Sequence, residues 1–259
     1  MNIVLVPYHL DDYLPDLDVP LEPGGVVVSA NLPDGDAWAR LAALYGAVAD
    51  VVADSAGHGG CPVVISGDCT TALGTVAGLQ RAGADAGIVW FDAHGDVQTL
   101  ETTASGYLGG LPLRLLAGYR PELITTRLGL RPVPEQQIVL VGARDLDPPE
   151  VSYLESAQIR RAEVADLADP GLADPGLAGP ALPTGPLYVH LDLDVIDPSE
   201  VPGLRYPAPG GPGSAQVARA LSRLLGTGRV AAVGIACTWH PGPGAAARIT
   251  QILDMVPLM

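Results

Sequence analysis

Several short runs in this chain are apolar at every position. Val63-Val64-Ile65, Ile88-Val89-Trp90 and Ile138-Val139-Leu140-Val141 offer no polar side chain to solvent on either face. Alternate residues of a strand point to opposite faces, so such runs must be covered on both sides, as in a parallel sheet between layers of helices. Further strands are predicted at 2–7, 25–29, 187–193 and 230–236, beside those at 62–66, 87–92 and 137–142. Between them, 34–54, 70–82, 109–118, 149–156 and 213–226 carry helical spacing or helix start signals. This alternation predicts an α/β fold: one domain over residues 1–259, three α/β/α layers and a mainly parallel central sheet.

Composition narrows the partners. The 259 residues carry a formal net charge of −15, which argues against nucleic acid and anionic membrane surfaces and favours cations and basic small molecules. Three cysteines, Cys61, Cys69 and Cys237, form no disulfide framework and suit a reducing compartment. Met1-Asn2-Ile3-Val4-Leu5-Val6 lacks the basic start of a signal peptide and reads as a first strand, and no apolar run is long enough to span a membrane; a cytoplasmic location is expected. Residues 168–182 repeat Ala-Asp-Pro-Gly-Leu-like units, too few for a repeat fold, and read as a turn-rich surface connection.

Ligands of open α/β sheets gather at the carboxyl ends of strands. Two such ends are dense in carboxylates: Asp92-Ala93-His94-Gly95-Asp96, and His190-Leu191-Asp192-Leu193-Asp194 followed by Val195-Ile196-Asp197-Pro198. If the first stays extended past Phe91, period two puts Asp92, His94 and Asp96 on one side; the same period aligns His190, Asp192 and Asp194. A lone Asp-x-Asp at a strand end is usually a cap or a solvated edge, and a lone His is usually structural. Two such strands in one chain point elsewhere. Four carboxylates in one crevice repel one another unless cations neutralise them, and two divalent ions would do so. Oxygen-rich donors with an imidazole favour Mn²⁺ or a similarly hard ion.

These motifs resemble those of the arginase, or ureohydrolase, family. Ser66-Gly67-Asp68-Cys69-Thr70 resembles its Gly-Gly-Asp-His-Ser, Asp92–Asp96 its Asp-Ala-His-x-Asp, and His190–Pro198 its Ser-Phe-Asp-x-Asp-x-x-Asp-Pro. They come in family order between about residues 3 and 241. The resemblance implies an arginase-like fold and a binuclear centre. In it Asp92 and Asp192 bridge two metals, Asp96 binds one, and His94 and Asp194 bind the other. A metal-activated water would then attack a guanidinium-type carbon, with Asp96 and Asp192 as the catalytic carboxylates. Asp197 either lies behind the ligands or caps the next turn. The resemblance also implies a small guanidino or hydroxyguanidino amino acid as the partner and a trimeric or hexameric homo-oligomer.

Three positions depart from the family pattern. Cys69 stands where the family has a metal-binding His; as a thiolate, its pKa lowered by metal and by the helix start at 70–82, it would be a softer ligand. Without metal contact it would be a small buried thiol. In Ser105-Gly106-Tyr107-Leu108-Gly109-Gly110-Leu111-Pro112, Gly109 takes the place of the His that shuttles protons, which predicts vacant space for a larger head group. Thr238 takes the place of the Glu that pairs with a guanidinium. His190 and His240 are replacement proton donors by position only. The loop from Arg144 to Glu150 keeps the arginase style, so Asp147 and Glu150 would grip an α-amino group, while Ser105, with Gln98 and Tyr107 replacing Asn residues, would meet the α-carboxylate.

A hydroxyguanidine is less basic than a guanidine and can bind neutral, where a Thr hydroxyl suffices. The pattern is similar to that of the hydroxyarginine amidinohydrolases of D-cycloserine biosynthesis. It implies hydrolysis of Nω-hydroxy-L-arginine to L-ornithine and hydroxyurea. The rivals are another ureohydrolase activity, such as arginase, agmatinase, guanidinobutyrase or formimidoylglutamase, and a non-catalytic metal-binding member of the family.

Overall fold

The computed structural model describes residues 2–17, 21, 24–168, 182–237 and 239–240. Its strands are β1 (Asn2–Val6), β2 (Tyr8–His9), β3 (Asp12–Tyr13), β4 (Val26–Val27), β5 (Pro62–Ser66), β6 (Gly87–Phe91), β7 (Ile138–Val141), β8 (Arg160–Ala162), β9 (Leu187–Asp192) and β10 (Val230–Ala236). Eight of them form one sheet in the order β4-β1-β5-β10-β9-β6-β7-β8, and every pairing is parallel. The other two, β2 and β3, make a small antiparallel hairpin beyond the carboxyl end of β1.

The apolar strands divide their side chains between two cores. Val64, Ile88, Trp90, Ile138 and Leu140 join one cluster; their neighbours Val63, Ile65, Val89, Phe91, Val139 and Val141 join the other. The first core is covered by α1 (Ala37–Gly57), α2 (Ala72–Arg81), α3 (Pro112–Leu116), α4 (Thr125–Leu128) and α5 (Pro148–Ser156). The second lies under α6 (Val164–Ala168) and α7 (Ser214–Gly226), whose Val217, Ala220, Leu221 and Leu224 are buried at helical spacing. The result is the three-layer α/β/α arrangement that doubly apolar strands require.

Differences from expectation have local causes. Predicted strand 25–29 shortens to two exposed edge residues, Val26 and Val27. Strand β8 is Arg160-Arg161-Ala162, an edge with one neighbour and therefore no apolar run to betray it. Helices α4 and α6 are too short, at four and five residues, to show a period. The helix predicted over 109–118 is a 3₁₀ turn, Leu108–Gly110, followed by α3, because Pro112 at the first helical position cannot be preceded by a continuous helix. The start of the helix predicted over 70–82 is likewise a 3₁₀ turn, Cys69–Thr71, before α2. The repeated Ala-Asp-Pro-Gly-Leu units fall almost wholly outside the described residues.

Candidate metal centre

Register brings the acidic residues together. Phe91 pairs with Leu191, so Asp92 emerges opposite Asp192. Ala236 pairs with both Asp192 and Ser66, which puts the end of β5 and the turn carrying Cys69 at the same level. Cys69, Asp92, Asp96, Asp192 and Asp194 are all buried, and with His94 they line one cavity of about 290 Å³.

The residues after Phe91 do not continue as a strand. β6 ends there, and Asp96 adopts a left-handed backbone at φ 53°, uncommon for a side chain other than glycine. Period two therefore fails over 92–96, and the donors sort into two groups instead of one row. Ligand atoms of Cys69, Asp92 and Asp96 lie within 4.8 Å of one another, as do those of Asp92, His94 and Asp194. Asp92 belongs to both groups. His94 Nδ1 is 3.0 Å from Asp194 Oδ2 and 3.5 Å from Asp92 Oδ1. Cys69 Sγ is 2.9 Å from Asp192 Oδ2, which sets Asp192 against the first group.

Electrostatics show how far this cluster needs cations. Burial, then the charges of Asp92 and Asp192, push the Asp96 carboxyl well up; burial, then Asp194 and Asp92, do the same to Asp192. Asp194 rises to about 6 through burial and Asp92. Burial alone would lower His94, but Asp194 and Asp92 outweigh it and push His94 up to about 12. Burial opposes ionisation of Asp92 too, yet its bonds with His94 hold it below the usual range. Asp96 Oδ2 is buried with no hydrogen-bond partner among the described residues. Crowded carboxylates of this kind are relieved by divalent ions, and the donor set fits such ions. The Cys69 thiol is pushed well up by burial and by Asp192, Asp96 and Asp92, so the helix start does not acidify it as the sequence suggested. Only a cation in that group would make it a thiolate.

Neighbours fix the carboxylates. Trp90 Nε1 donates to Asp92 Oδ2 at 3.0 Å, and the His94 backbone N–H donates to Asp92 Oδ1 at 2.7 Å. Asp192 Oδ1 accepts the Asp194 N–H at 3.0 Å, closing the 3₁₀ turn Leu193–Val195. Asp68 caps the turn that presents Cys69, accepting the Thr70 N–H at 2.8 Å. The Arg144 guanidinium donates to five backbone carbonyls, those of Gly142, Asp194, Val195, Ala208 and Pro209. It joins the loop after β7, the Asp194 turn and the loop before α7. Asp197 is half-buried and accepts from Ser199, the turn-capping alternative.

The expected substrate residues line the same cavity, with one exception. Ser105, Tyr107, Gln98, Asp147 and Glu150 all face it. Gln98 Nε2 donates to Asp147 Oδ2 at 2.8 Å, and its Oε1 accepts from Thr102 at 2.7 Å. Glu150 is buried and fastens the loop, accepting the N–H groups of Asp147 at 3.1 Å and Val97 at 3.3 Å. Asp147 is exposed at the start of α5. Thr238 lies outside the described residues.

Gly109 does not leave a vacancy. A Cβ there would collide with the Tyr107 ring and hydroxyl, so the tyrosine fills the space expected to be vacant, and its hydroxyl is turned to His9 instead of to the α-carboxylate position expected for it. Neither replacement donor reaches the cavity: His190 is buried beneath Trp90 with ring centroids 3.7 Å apart, and His240 is exposed. Two cavity neighbours escaped the sequence reading. Tyr206 lines the wall 5.2 Å from the Tyr107 ring, and buried His9 bonds Tyr107 from behind. The signal for His9 was available, since it lies in β2, three residues past the carboxyl end of β1, a strand of the same parallel sheet.

Comparison with known proteins agrees with this geometry. The family model for the arginase family matches residues 13–240. An arginase from Bacillus caldovelox is 34% identical over 158 residues, 60% of this chain and 53% of that protein. The N(omega)-hydroxy-L-arginine amidinohydrolase of Streptomyces lavendulae is 32% identical over 212 residues, 81% of this chain and 73% of that protein. The matched region thus spans about half the length of the curated Bacillus arginases. In fold, the crystal structure of Entamoeba histolytica arginase superposes with a TM-score of 0.80 at 20% identity, over 100% of this chain and 98% of that one. Among the described residues no helix is long and apolar enough to cross a membrane.

Proposed function

From the premise that this chain belongs to the arginase family, we propose that it is a binuclear-metal amidinohydrolase acting on Nω-hydroxy-L-arginine to give L-ornithine and hydroxyurea. The observation that carries the hydrolase reading is the sharing of Asp92 between two ligand groups inside one cavity. Asp92, His94 and Asp194 would hold one ion; Cys69, Asp92, Asp96 and Asp192 would hold the other. The first group suits Mn²⁺, and the thiolate makes the second softer. Two such ions supply an activated water and stabilise charge that develops on the substrate.

The chain's own residues do the rest. Asp147 supplies an exposed carboxylate for an α-amino group, held in place by Gln98. Glu150 keeps that loop seated on the strand end through Val97. Ser105 lies on the cavity wall, where its hydroxyl suits a carboxylate. Tyr107 excludes water from the Gly109 side. The substrate assignment draws support from the Streptomyces lavendulae relative and from the absence of a carboxylate at the position of Thr238, since an unpaired guanidinium is costly to bury.

The test is turnover of Nω-hydroxy-L-arginine against L-arginine in the Mn²⁺-loaded protein. The expected result is a higher kcat/KM for the hydroxylated substrate. Faster hydrolysis of L-arginine would overturn the substrate assignment. Absence of turnover with any guanidino or formimino compound would overturn the hydrolase itself in favour of a non-catalytic member.

A further inference from the structure

Tyr107 is tied down through its backbone and through its hydroxyl. Its backbone N–H donates to Ser105 Oγ at 3.2 Å, just after a left-handed turn at Gly106. Its ring runs nearly parallel to the His9 ring, with centroids 5.7 Å apart and planes 12° apart, and its hydroxyl lies 3.2 Å from His9 Nε2. His9 is in turn fixed from behind, with Nδ1 2.9 Å from the carbonyl oxygen of Gly67. The ring occupies the volume above Gly109.

The protons in this chain of contacts follow from what each group can do. A carbonyl only accepts, so His9 Nδ1 carries hydrogen and donates to Gly67. With Nδ1 donating, Nε2 is the ring nitrogen placed to accept from the Tyr107 hydroxyl. Burial, with the carboxylate of Asp68 next in effect, pushes the Tyr107 hydroxyl far up, so it keeps its proton and gives it to Nε2. The Tyr107 oxygen is left with lone pairs only. Tyr107 lines the cavity together with Cys69 and Asp96.

We propose that Tyr107, oriented by His9, is the specificity-determining acceptor for the N–OH hydroxyl of a neutral hydroxyguanidine. This rests on the hydroxyarginine reading above and names the residue that recognises the added oxygen. A neutral acceptor matches a neutral hydroxyl donor. It does nothing to compensate a buried guanidinium charge, so the same atom that welcomes the hydroxylated base leaves the parent one uncompensated. Tyr107 contacts the substrate directly; His9 acts through Tyr107 and is a positioning residue.

The experiment is Tyr107→Phe, which keeps the ring over Gly109 and removes only the oxygen. Two readouts are taken on the metal-loaded protein: kcat/KM for Nω-hydroxy-L-arginine, and inhibition constants for free hydroxyguanidine against free guanidine. L-Ornithine binding by calorimetry, together with the thermal unfolding curve, reports that the site is still built. The expected result is a loss of about tenfold in kcat/KM, the size of one neutral hydrogen bond, and a collapse of the hydroxyguanidine preference, with L-ornithine binding unchanged. His9→Ala should reduce the same preference while Tyr107 remains in place. A Tyr107→Phe protein that retains the wild-type preference overturns the proposal while the hydroxyarginine activity stands. A wild-type protein that prefers L-arginine overturns both.

Discussion

Substituting Gly109 by alanine tests whether the tyrosine really occupies that space. Gly109 lies in a 3₁₀ turn outside the left-handed region, so its backbone accepts alanine; by itself the change should stabilise by about 0.4–1 kcal/mol through the unfolded chain. The new Cβ, however, falls on the ring carbons and hydroxyl of Tyr107. To admit it, the ring must leave its stack on His9 and give up the 3.2 Å hydrogen bond. Overpacking of this kind costs about 1–3 kcal/mol, and the lost hydrogen bond about 1 kcal/mol more. The net expectation for Gly109→Ala is a loss of about 1–3 kcal/mol. In a Tyr107→Ala background the obstacle is gone, and the same substitution should be neutral or slightly stabilising. The coupling energy is therefore about 2–4 kcal/mol, well above the roughly 0.5 kcal/mol typical of independent sites. Urea unfolding of the four proteins under identical metal concentration measures it. Equal cost of Gly109→Ala in both backgrounds would refute the packing argument and, with it, the account of why the family histidine is absent.

Two further outcomes follow from the buried groups. Cys69→His should shift metal preference towards Mn²⁺ and away from softer Zn²⁺, read by metal analysis after competition between the two ions; an unchanged ratio would make Cys69 a bystander. His190, 2% exposed, is held down to about 3 by burial, against the ordinary 6.5. The unfolded chain takes up its proton below pH 6.5 and the folded chain does not, so stability from this group is lost as pH falls from 6.5 towards 3, by at most about 5 kcal/mol. His190→Gln should flatten that part of the stability profile relative to wild type, and parallel profiles would show that His190 does not contribute.

Much of the framework could be read from residue order. Doubly apolar runs such as Ile138–Val141 demand two covering layers, and the structure supplies them. The acidic strand ends were visible because Asp92, His94, Asp96, Asp192 and Asp194 are close in sequence within two short segments. Their arrangement was not visible. It depends on Asp96 turning left-handed and on β9 inserting beside β6, and neither leaves a mark in spacing. The error at Gly109 is of another kind. A sequence shows that a side chain is missing but not which neighbour moves into the gap; here it comes from two residues earlier. His9 lies 98 residues before its partner Tyr107, and only the meeting of strand ends connects them.

Arg144 directs its hydrogen bonds to five backbone carbonyl groups. A cation placed there as a counter-charge would compete with incoming metal for the same acids. Bound to backbone oxygens, it stitches three loops together while leaving the negative charge of the basin unspent. The order of the basin's rim therefore does not have to be borrowed from the ions it holds, in contrast to small domains whose shape collapses on chelation.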